Sequence, residues 1–493
     1  MALVVSSRLP SGPGRLQIFV GDFDVTTARP LHFTLDGARA DPVVLRPLSS
    51  VRGPAHGIAA GSAVLRSFTG VFEFRGLDVA RRVRVGVTAG NDARSLDLVT
   101  LPARVPTANE GGFDILLASC FHKAESNAGA VLAAVRTLLS AIRAKPSGLR
   151  TPDCALFMGD QVYLDLPTLQ EFPNDPSWLA NKFEADYRVN WEHGLEPLMR
   201  LAPWACVPDD HEYWNNAPHP STQNANTWSA AGRRNWRDAA GLCYEAFAKP
   251  FNGRGTDSVD DPLIVDVHPI SLFIADGRSR RDEGLGHTLT PNCRRELAGW
   301  IDRLNREGKV GLFVSGQSLL HPAASQVGGK LADWELPNYR DYTALLRLFG
   351  SAKNRLLLLT GDVHWGRVSS AYEAVSGAER LQEVIVSPLS LVTTVGMDQW
   401  KWLKGVFRPS ELWPRHSSAD TPPARLTFGS PQTYRCQVGQ STEVKPAQIK
   451  GDQLGLLSFD WTNARLRASV RYFSVHPTLN RTVTVPLFDI PAV

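Results

Sequence analysis

The stretch that decides the fold is Leu356–Gly366, LLLLTGDVHWG. Four consecutive leucines leave no strand face for water, so they predict a strand buried on both sides, as central strands of α/β sheets are. Gly361 predicts the turn that ends this strand, and Asp362 and His364 follow it. Because open α/β sheets build their sites at the carboxyl ends of strands, this pair is a candidate oxygen and nitrogen ligand set. A capping Asp and a surface His are the structural alternative.

The whole chain has the length and composition of a globular protein with two or three domains. Of its 493 residues, 43% are hydrophobic and 21% are charged, which is ordinary for a soluble protein. The net charge of +4 is small for this length, which argues against long nucleic acid as a partner. No segment is long enough to span a bilayer and none resembles a signal peptide. We therefore expect no membrane partner and a cytoplasmic location, with export by a separate leader left open.

Cysteine usage argues against a disulfide scaffold. The six cysteines show no CxxC pair and no regular spacing, which makes a reduced, buried thiol the default for each. They are Cys120, Cys154, Cys206, Cys243, Cys293 and Cys436.

Two regions of the chain differ in their pattern of apolar and polar residues. Residues 1–107 alternate apolar and polar residues in short segments separated by Gly, Pro, Asp and Asn, which predicts an N-terminal β-sandwich of the immunoglobulin-like type. Packing or covering the substrate is its expected role. Residues 112–493 alternate strands with helices and end in a β-rich run, which predicts an α/β domain with mixed sheets. Within it, a helix is predicted at 128–145 and a Trp- and Pro-rich excursion at 400–423.

Two of the early strands of the α/β part are followed by polar side chains that could bind a metal. Cys120 ends FDILLASC, where a structural thiol is the alternative. FMGDQVYLD places Asp160, Tyr163 and Asp165 after the next strand. Carboxylates and a phenol are how oxygen ligands are clustered for a hard cation. A turn cap and a packed tyrosine are the alternative there.

The segment WACVPDDHEYWNN is the densest of all. Its acidic, imidazole and amide side chains are Asp209, Asp210, His211, Glu212, Asn215 and Asn216. Adjacent carboxylates after an apolar strand repel each other, and a cation would remove the conflict. A later strand end, FIADGRSRRDEG, adds Arg278 and Arg281, which suit phosphate or carboxylate, with a solvated surface cluster as the alternative. Five such strand ends in one segment predict a metal-centred anion site.

The ordered motifs ASC, GDQVYLD, DDHEYWNN, DGRSRR and TGDVHW resemble those of the PhoD-like branch of the calcineurin-like metallophosphoesterases, over roughly Asp114 to His364. SCFH stands where the wider superfamily has Asp-x-His, a substitution that marks this branch. The resemblance implies a metallophosphoesterase αββα sandwich preceded by the N-terminal β-sandwich. It also implies hydrolysis of phosphate monoesters, diesters or both by a metal-activated water or hydroxide at an Fe/Ca centre.

The resemblance further implies a ferric ion (Fe3+) with calcium (Ca2+) beside it, other divalent metals being alternatives. Carried over residue by residue, the iron ligands are Cys120, Asp160, Tyr163 and His364. The calcium ligands are Asp160, Asp209, Asn216 and Asp362. Asp210 and Asn215 are candidates either as ligands or as groups that support them.

The resemblance also implies roles at the substrate. His211 corresponds to the superfamily's proton donor or charge stabiliser. Arg278 and Arg281 correspond to arginines that clamp the transferred phosphoryl group. The implied substrate is a small phosphate ester, and the Trp content slightly favours a diester because an indole could stack on a second alcohol.

Two other functions remain open alongside a hydrolase: a protein that binds a phosphate ligand for regulation without catalysis, and a nuclease. The chain departs from the family pattern at Trp334–Tyr339, WELPNY, where the family's glycine is missing, and it has no twin-arginine signal. The sequence predicts neither the physiological substrate nor the oligomeric state.

Overall fold

A computed structural model describes most of the chain. The described residues are 2–52, 58, 64–122, 145, 148, 151–167, 171–253, 262–320, 324, 329, 333–364, 366–373, 379–390, 426–427, 436–437, 452–475 and 482–491. The predicted excursion at 400–423, and the predicted helix at 128–145 except for its last residue, lie outside these residues.

The N-terminal segment consists of strands, as its alternating pattern predicts. They are β1 (Ala2–Arg8), β2 (Arg15–Phe23), β3 (Leu31–Leu35), β4 (Ala38–Ala40), β5 (Val43–Arg52), β6 (Val64–Arg75), β7 (Arg82–Ala89) and β8 (Asp92–Val99). One small sheet has the order β4-β3-β7-β8, and the other four strands belong to a larger sheet. Val5 and Ile18 of the larger sheet share one apolar cluster with Val85 of the small sheet. The immunoglobulin-like type is not confirmed, and the boundary at residue 107 stays a prediction.

The strands of the remaining chain are β9 (Phe113–Ala118), β10 (Cys154–Met158), β11 (Trp204–Val207), β12 (Leu263–Val267), β13 (Ile270–Ile274), β14 (Val310–Val314), β15 (Leu356–Thr360), β16 (Arg367–Glu373), β17 (Glu379–Ile385), β18 (Leu426–Thr427), β19 (Cys436–Gln437), β20 (Gln453–Thr462), β21 (Arg465–Ser474) and β22 (Thr482–Pro491). The α-helices are α1 (Pro176–Asn190), α2 (Glu196–Met199), α3 (Ala230–Ala246), α4 (Pro291–Glu307) and α5 (Tyr342–Gly350). Short 3-10 turns occur at Ala108–Glu110, Asp210–Glu212, Ala225–Trp228, Lys249–Phe251 and Leu336–Asn338, and a π turn at Trp191–Leu195 joins α1 to α2. None of the helices in the described ranges is long and apolar enough to cross a membrane.

Helix α4 shows how the sequence sets helix ends. The Thr290 side chain caps it by accepting a hydrogen bond from the Cys293 amide, and Pro291 occupies the first turn, where its missing N–H is not needed. Gly308 ends the helix in the left-handed conformation at φ +67°, which glycine adopts without a Cβ penalty. The helix therefore begins and ends where its capping residues stand.

The first large sheet has the strand order β22-β21-β20-β9-β10-β11-β1-β2-β6-β5. Its central strands β9, β10 and β11 are parallel to one another. On one side, β1 continues the sheet in parallel with β11 through Arg8 and Trp204. On the other side, the C-terminal β-rich run adds antiparallel strands, beginning with β20 on β9. The N-terminal strands are therefore hydrogen-bonded into the sheet that carries the first three candidate strand ends.

The second large sheet has the order β12-β13-β14-β15-β17-β16-β18, with β19 paired to β16. Strand β15, the leucine run, lies between β14 and β17 and is parallel to both. All five of its residues are buried. The buried central strand that the leucines predict is therefore confirmed.

The two large sheets face each other. Leu117 and Met158 of the first sheet share one apolar cluster with Leu312 and Leu357 of the second. Helices α1 and α3 pack against the first sheet, and α4 and α5 pack against the second. The layers thus run helix, sheet, sheet, helix, and burial of apolar area between them is the main stabilising contribution.

Candidate metal centre

The carboxyl ends of β10 and β15 meet at Gly361. A Cβ built on Gly361 would lie 2.1 Å from the Met158 carbonyl oxygen and 2.7 Å from the Ser119 Cβ, so a larger residue would displace backbone. Gly159 makes a similar approach at φ +88°, where its Cβ would lie 2.7 Å from that of Asp209. These glycines allow the loops that carry the candidate ligands to come together.

Five candidate ligands adopt the left-handed backbone conformation. They are Cys120 (φ +55°), Asp160 (+55°), Asn216 (+70°), Asp362 (+66°) and His364 (+57°). They account for five of the eleven non-glycine residues with positive φ among the described residues. This conformation costs roughly 1–2 kcal/mol for a residue with a Cβ, and such strain clusters at functional sites. The surrounding packing therefore holds these loops in conformations that present the side chains.

The four residues predicted to bind iron lie together. Ligand atoms of Cys120, Asp160 and His364 are all within 4.8 Å of one another. The Cys120 thiol and the Tyr163 hydroxyl each donate to Oδ2 of Asp160 at 3.4 Å. Burial, reinforced by the charge of Asp160, raises the pKa of both the Cys120 thiol and the Tyr163 hydroxyl well above their usual values. A cation beside them would lower both pKa values, because it favours the anionic forms.

The acidic residues form a second group, which the approach of Asp160 to Asp210 links to the first. Oxygens of Asp209, Asp210 and Asp362 lie within 4.8 Å of one another, and Asp160 lies within the same distance of Asp210 and His211. Asp160 is thus positioned between the predicted iron and calcium sides. Like-charged carboxylates this close destabilise one another unless a cation or a proton intervenes.

Asp209 provides the test of whether a metal fits. Its side chain is 1% exposed, yet neither carboxylate oxygen accepts a hydrogen bond from any residue that the structure describes. The Arg278 Nε lies 3.0 Å from Oδ1 without hydrogen-bond geometry. Burial raises the pKa of Asp209, and Arg278 only partly opposes the shift. A buried carboxylate with unused lone pairs is an arrangement that a bound cation stabilises.

Asn216 adjoins the acidic group, as the predicted calcium ligand should. Its backbone N–H donates to Oδ2 of Asp210 at 2.6 Å. Its side-chain amide donates to the carbonyls of Pro220 and Gly329 at 3.1 Å and accepts from the Trp334 amide at 3.2 Å. The side chain is therefore fixed by backbone groups, and its oxygen keeps one lone pair for a further partner.

His211 is held by Asp165, which the sequence indicated as a possible oxygen ligand and not as the partner of this histidine. The His211 Nδ1 lies 2.8 Å from Asp165 Oδ1, and the other oxygen of Asp165 accepts from the Asn215 amide at 2.8 Å. Burial lowers the pKa of His211, but Asp165 and Asp210 outweigh it and raise this pKa well above its usual value. Asp165 belongs to the GDQVYLD motif, but sequence could not show that it reaches a histidine 46 residues away.

The two predicted arginines lie at the edge of the acidic group. Arg278 is 3% exposed, and its Nη2 lies 3.4 Å from Asp210 Oδ1 and 3.0 Å from Asp333 Oδ2. Arg281 donates to Oε1 of Gln317 at 2.7 Å, and Gln317 donates in turn to Asp333 at 2.8 Å. Asp333 and Gln317 were not among the predicted site residues, although Asp333 is adjacent to the WELPNY motif. One hydrogen-bonded network thus fixes both arginines.

Glu212 belongs to the acidic segment that the sequence singled out, but its role was not predicted. Its carboxylate is fully buried and accepts three backbone N–H groups: those of Asp160 (3.0 Å), Gln161 (2.6 Å) and Asp209 (2.7 Å). It therefore ties the loop after β10 to the loop after β11. No residue pattern indicates this role, because its partners are backbone groups.

Ser387 plays a similar role on the other side. Its hydroxyl donates to the Cys120 sulfur at 3.2 Å and accepts from the His364 amide at 3.3 Å. It follows β17 in the segment EVIVSP, so the same rule that located the other strand ends could have found it.

Comparison with known proteins supports the fold. No family model matches the chain, and no curated protein matches it. Its structure is similar to that of a purple acid phosphatase from yellow lupin (Lupinus luteus) seeds, at 10% identity and a TM-score of 0.54, over 98% of this chain and 74% of that one. A dimetal phosphatase from Danio rerio matches at 10% identity and a TM-score of 0.37, over 76% of this chain and 98% of that one, a score too low to support an argument. The chain therefore has a mixed α/β fold similar to that of the purple acid phosphatase.

Proposed function

We propose that this protein is a metal-dependent hydrolase of phosphate esters. The observation that carries the proposal is a pair of adjoining ligand groups, one with thiol, phenol and imidazole around Asp160 and one with carboxylates around Asp210, which lie within reach of each other. The similarity in fold to a phosphatase supports the same class of reaction. The motif order supports assignment to the PhoD-like branch.

The donor chemistry supports iron on one side and calcium on the other. Thiolate, phenolate and imidazole from Cys120, Tyr163 and His364 suit Fe3+, whereas the oxygens of Asp209 and Asn216 suit Ca2+. Asp362 would complete the calcium side and Asp160 would serve both ions, with Asp210 as a further candidate ligand. Ions bound there would stabilise negative charge on the phosphate and lower the pKa of water.

The chain's own residues would bind and orient the ester. Arg278 and Arg281 would hold phosphate oxygens, since both are buried guanidinium groups beside the acidic group. His211 would donate a proton to the leaving alcohol or stabilise its charge, and Asp165 fixes the orientation of its ring.

Hydrolysis of an aryl phosphate monoester and diester by metal-replete protein, with and without chelator, tests the proposal. We expect activity that the chelator abolishes, together with iron and calcium in elemental analysis. The Asp160→Ala variant should bind neither metal, because a shared ligand affects both ions, and its kcat should be at least about a thousandfold lower. Asp302→Ala, at an exposed position of α4, is the control and should retain both. Metal binding without hydrolysis of either ester would instead support a non-catalytic binding protein.

A further inference from the structure

We propose that the substrate carries a second anionic group on its alcohol, and that this group binds in a cavity beside the candidate metal centre. The inference rests on the proposed function, since it concerns the alcohol side of the same phosphate ester. The cavity has a volume of about 210 Å³. Its lining includes four arginines and two aromatic residues: Arg237, Arg278, Arg280, Arg281, Tyr213 and Trp214.

Arg278 connects this cavity to the metal centre. It lines the cavity, and its guanidinium also lies 3.0 Å from Asp209 and 3.4 Å from Asp210. A phosphate ester bound at the acidic group would therefore have the cavity as a neighbouring space. The alcohol of the ester is the part that could extend into it.

The charge of the cavity favours an anion. Arg278 is matched by the acidic residues around it, but the other arginines are less well matched. Within the described ranges, no carboxylate oxygen lies within ion-pair distance of Arg280 or Arg281, and Arg281 donates instead to Gln317 and to the Gly277 carbonyl. Among the described residues, the ion pair of Arg237 is a long contact to Glu283, at 4.0 Å. Clustered guanidinium groups beside a cavity attract carboxylate or phosphate.

The arginine loop is held in place before any ligand binds. The Asp276 carboxylate accepts the backbone N–H groups of Arg278 (3.1 Å) and Ser279 (2.9 Å), and it accepts the Ser279 hydroxyl at 2.6 Å. The Tyr213 hydroxyl donates to the same serine at 2.9 Å. Because the loop is already ordered, an anion that binds there loses little affinity to loop ordering.

The size and walls of the cavity indicate the body of the alcohol. At about 210 Å³ it exceeds the ~150 Å³ apolar cavity that admits a benzene ring. Trp214 is fully buried and Tyr213 is 6% exposed, so the surrounding packing fixes the positions of both side chains in the cavity wall. The cavity thus suits a single ring or a body of similar size that bears a carboxylate or a second phosphate.

The test compares aryl phosphate monoesters whose para substituents differ in charge. Metal-replete protein is assayed with 4-carboxyphenyl phosphate and benzene-1,4-diyl bisphosphate, called the anionic esters, and with 4-carbamoylphenyl phosphate, called the neutral ester because its substituent is uncharged. We expect kcat/KM about tenfold higher for at least one anionic ester than for the neutral one, equivalent to about 1.4 kcal/mol. The two anionic esters distinguish a carboxylate from a second phosphate. This preference should fall as salt is raised, because Arg237 and Arg280 are exposed to solvent.

Variants test whether the cavity arginines cause the preference for anionic esters. Arg280→Gln and Arg237→Gln should each reduce the anionic-to-neutral ratio of kcat/KM severalfold, whereas Arg234→Gln, exposed on α3 but outside the cavity lining, should leave the ratio unchanged. Thermal unfolding checks that each variant folds, and the wild-type ratio and its salt dependence decide the question if a variant does not.

Equal kcat/KM for charged and neutral esters would overturn the inference while leaving the proposed function intact. If no ester is hydrolysed, the proposed function fails, and calorimetry then tests the cavity with phenylphosphonate and 4-carboxyphenylphosphonate. Tighter binding of the carboxylated compound would support the cavity assignment, and equal binding would overturn it.

Discussion

Glu212 shows how one buried side chain can position candidate metal ligands through backbone contacts alone. Its two oxygens accept three backbone N–H groups, two of which belong to the candidate ligands Asp160 and Asp209. A carboxylate can satisfy all three donors because it has only acceptor sites. The relative position of the two ligand loops therefore depends on its charge state and shape.

Glu212→Gln should loosen this arrangement, because the amide nitrogen would face a backbone N–H instead of accepting from it. We expect a loss of about 1–3 kcal/mol in stability from the unsatisfied donor and a 10- to 100-fold loss in metal affinity, the usual range for residues that support metal ligands. Glu307→Gln, at an exposed position of α4, is the control. Metal titration followed by thermal unfolding measures both effects, and unchanged metal affinity would show that Glu212 does not position the ligands.

Gly361 is a second residue on which the arrangement of the ligand loops depends. Here the reason is the small size of the residue and not its charge. Gly361→Ala places a Cβ 2.1 Å from the Met158 carbonyl oxygen, so the ends of β10 and β15 must separate. We expect a loss of about 1–3 kcal/mol in stability together with reduced metal content. Gly299→Ala is the matched control: nothing lies within 4 Å of its added Cβ, and in the middle of α4 it should stabilise by about 0.5–1 kcal/mol. Equal unfolding temperatures for the two variants would contradict the close approach.

At the scale of elements, strands β9 and β10 are joined at their start by a buried charged cluster. The Lys145 ammonium donates to the carbonyls of Gly111 and Gly112 at 2.9 and 2.8 Å. It also lies 3.0 Å from Asp114 and 2.9 Å from Asp153. The cluster lies at the opposite end of these strands from the metal centre, so it affects stability separately from metal binding.

This cluster makes stability depend on pH. Burial raises the pKa of Asp153 to about 6, and Lys145 offsets the shift only in part, whereas an unfolded Asp has a pKa near 3.9. The folded state therefore binds this proton more tightly, so its stabilising contribution is complete below about pH 4 and is lost as pH rises through 6. Asp153→Asn removes the contribution. Urea titrations give the free energy of unfolding of the wild type and of this variant at each pH. The wild-type value relative to the variant should decrease as pH rises from 4 to 6, by up to about 1.4 kcal/mol per pH unit. The surface control Asp302→Asn should follow the wild type. A difference that stays flat across this range would contradict the raised pKa.

Single elements were the part of the structure that the sequence predicted best. The leucines of β15 were recognised as a buried strand because such a strand has a distinctive composition. Asp362 and His364 were chosen as candidate ligands because the carboxyl end of such a strand is a preferred site position. The sequence did not predict the contacts of Glu212 and Asp165. These contacts join loops about fifty residues apart, and no local sequence pattern encodes such geometry.

At the scale of the whole molecule, strand pairing was the main feature that the sequence could not supply. Alternation of apolar residues predicts that residues 2–8 form a strand but does not identify the partner. In the structure, β1 pairs with β2 and also with β11, nearly two hundred residues later. The N-terminal segment therefore extends the sheet that carries Cys120, Asp160 and Asp209, and its packing contributes to the stability of the scaffold around them.

The whole fold should be more stable with metal than without it. Asp209 should contribute to this difference, because its buried carboxylate is favourable beside a metal and unfavourable without one. Metal that binds only the folded chain adds about 2.7 kcal/mol at a hundredfold excess over Kd, so chelation should lower the unfolding temperature. Without metal, Asp209 is a buried carboxylate beside other acids and lacks hydrogen bonds. Asp209→Asn removes that charge, and Arg278 keeps its contacts with Asp210 and Asp333.

The metal-free Asp209→Asn variant should therefore be at least as stable as the metal-free wild type, and it should gain less from added metal. Differential scanning calorimetry of both proteins, with chelator and with graded metal, measures the two quantities, and Asp302→Asn provides the surface control. A wild-type unfolding temperature that does not respond to chelator or to added metal would mean that these acids are not a metal site. A marked destabilisation of the metal-free variant would instead mean that the Asp209–Arg278 ion pair outweighs the repulsion among the acids, and that Asp209 stabilises the fold even without metal.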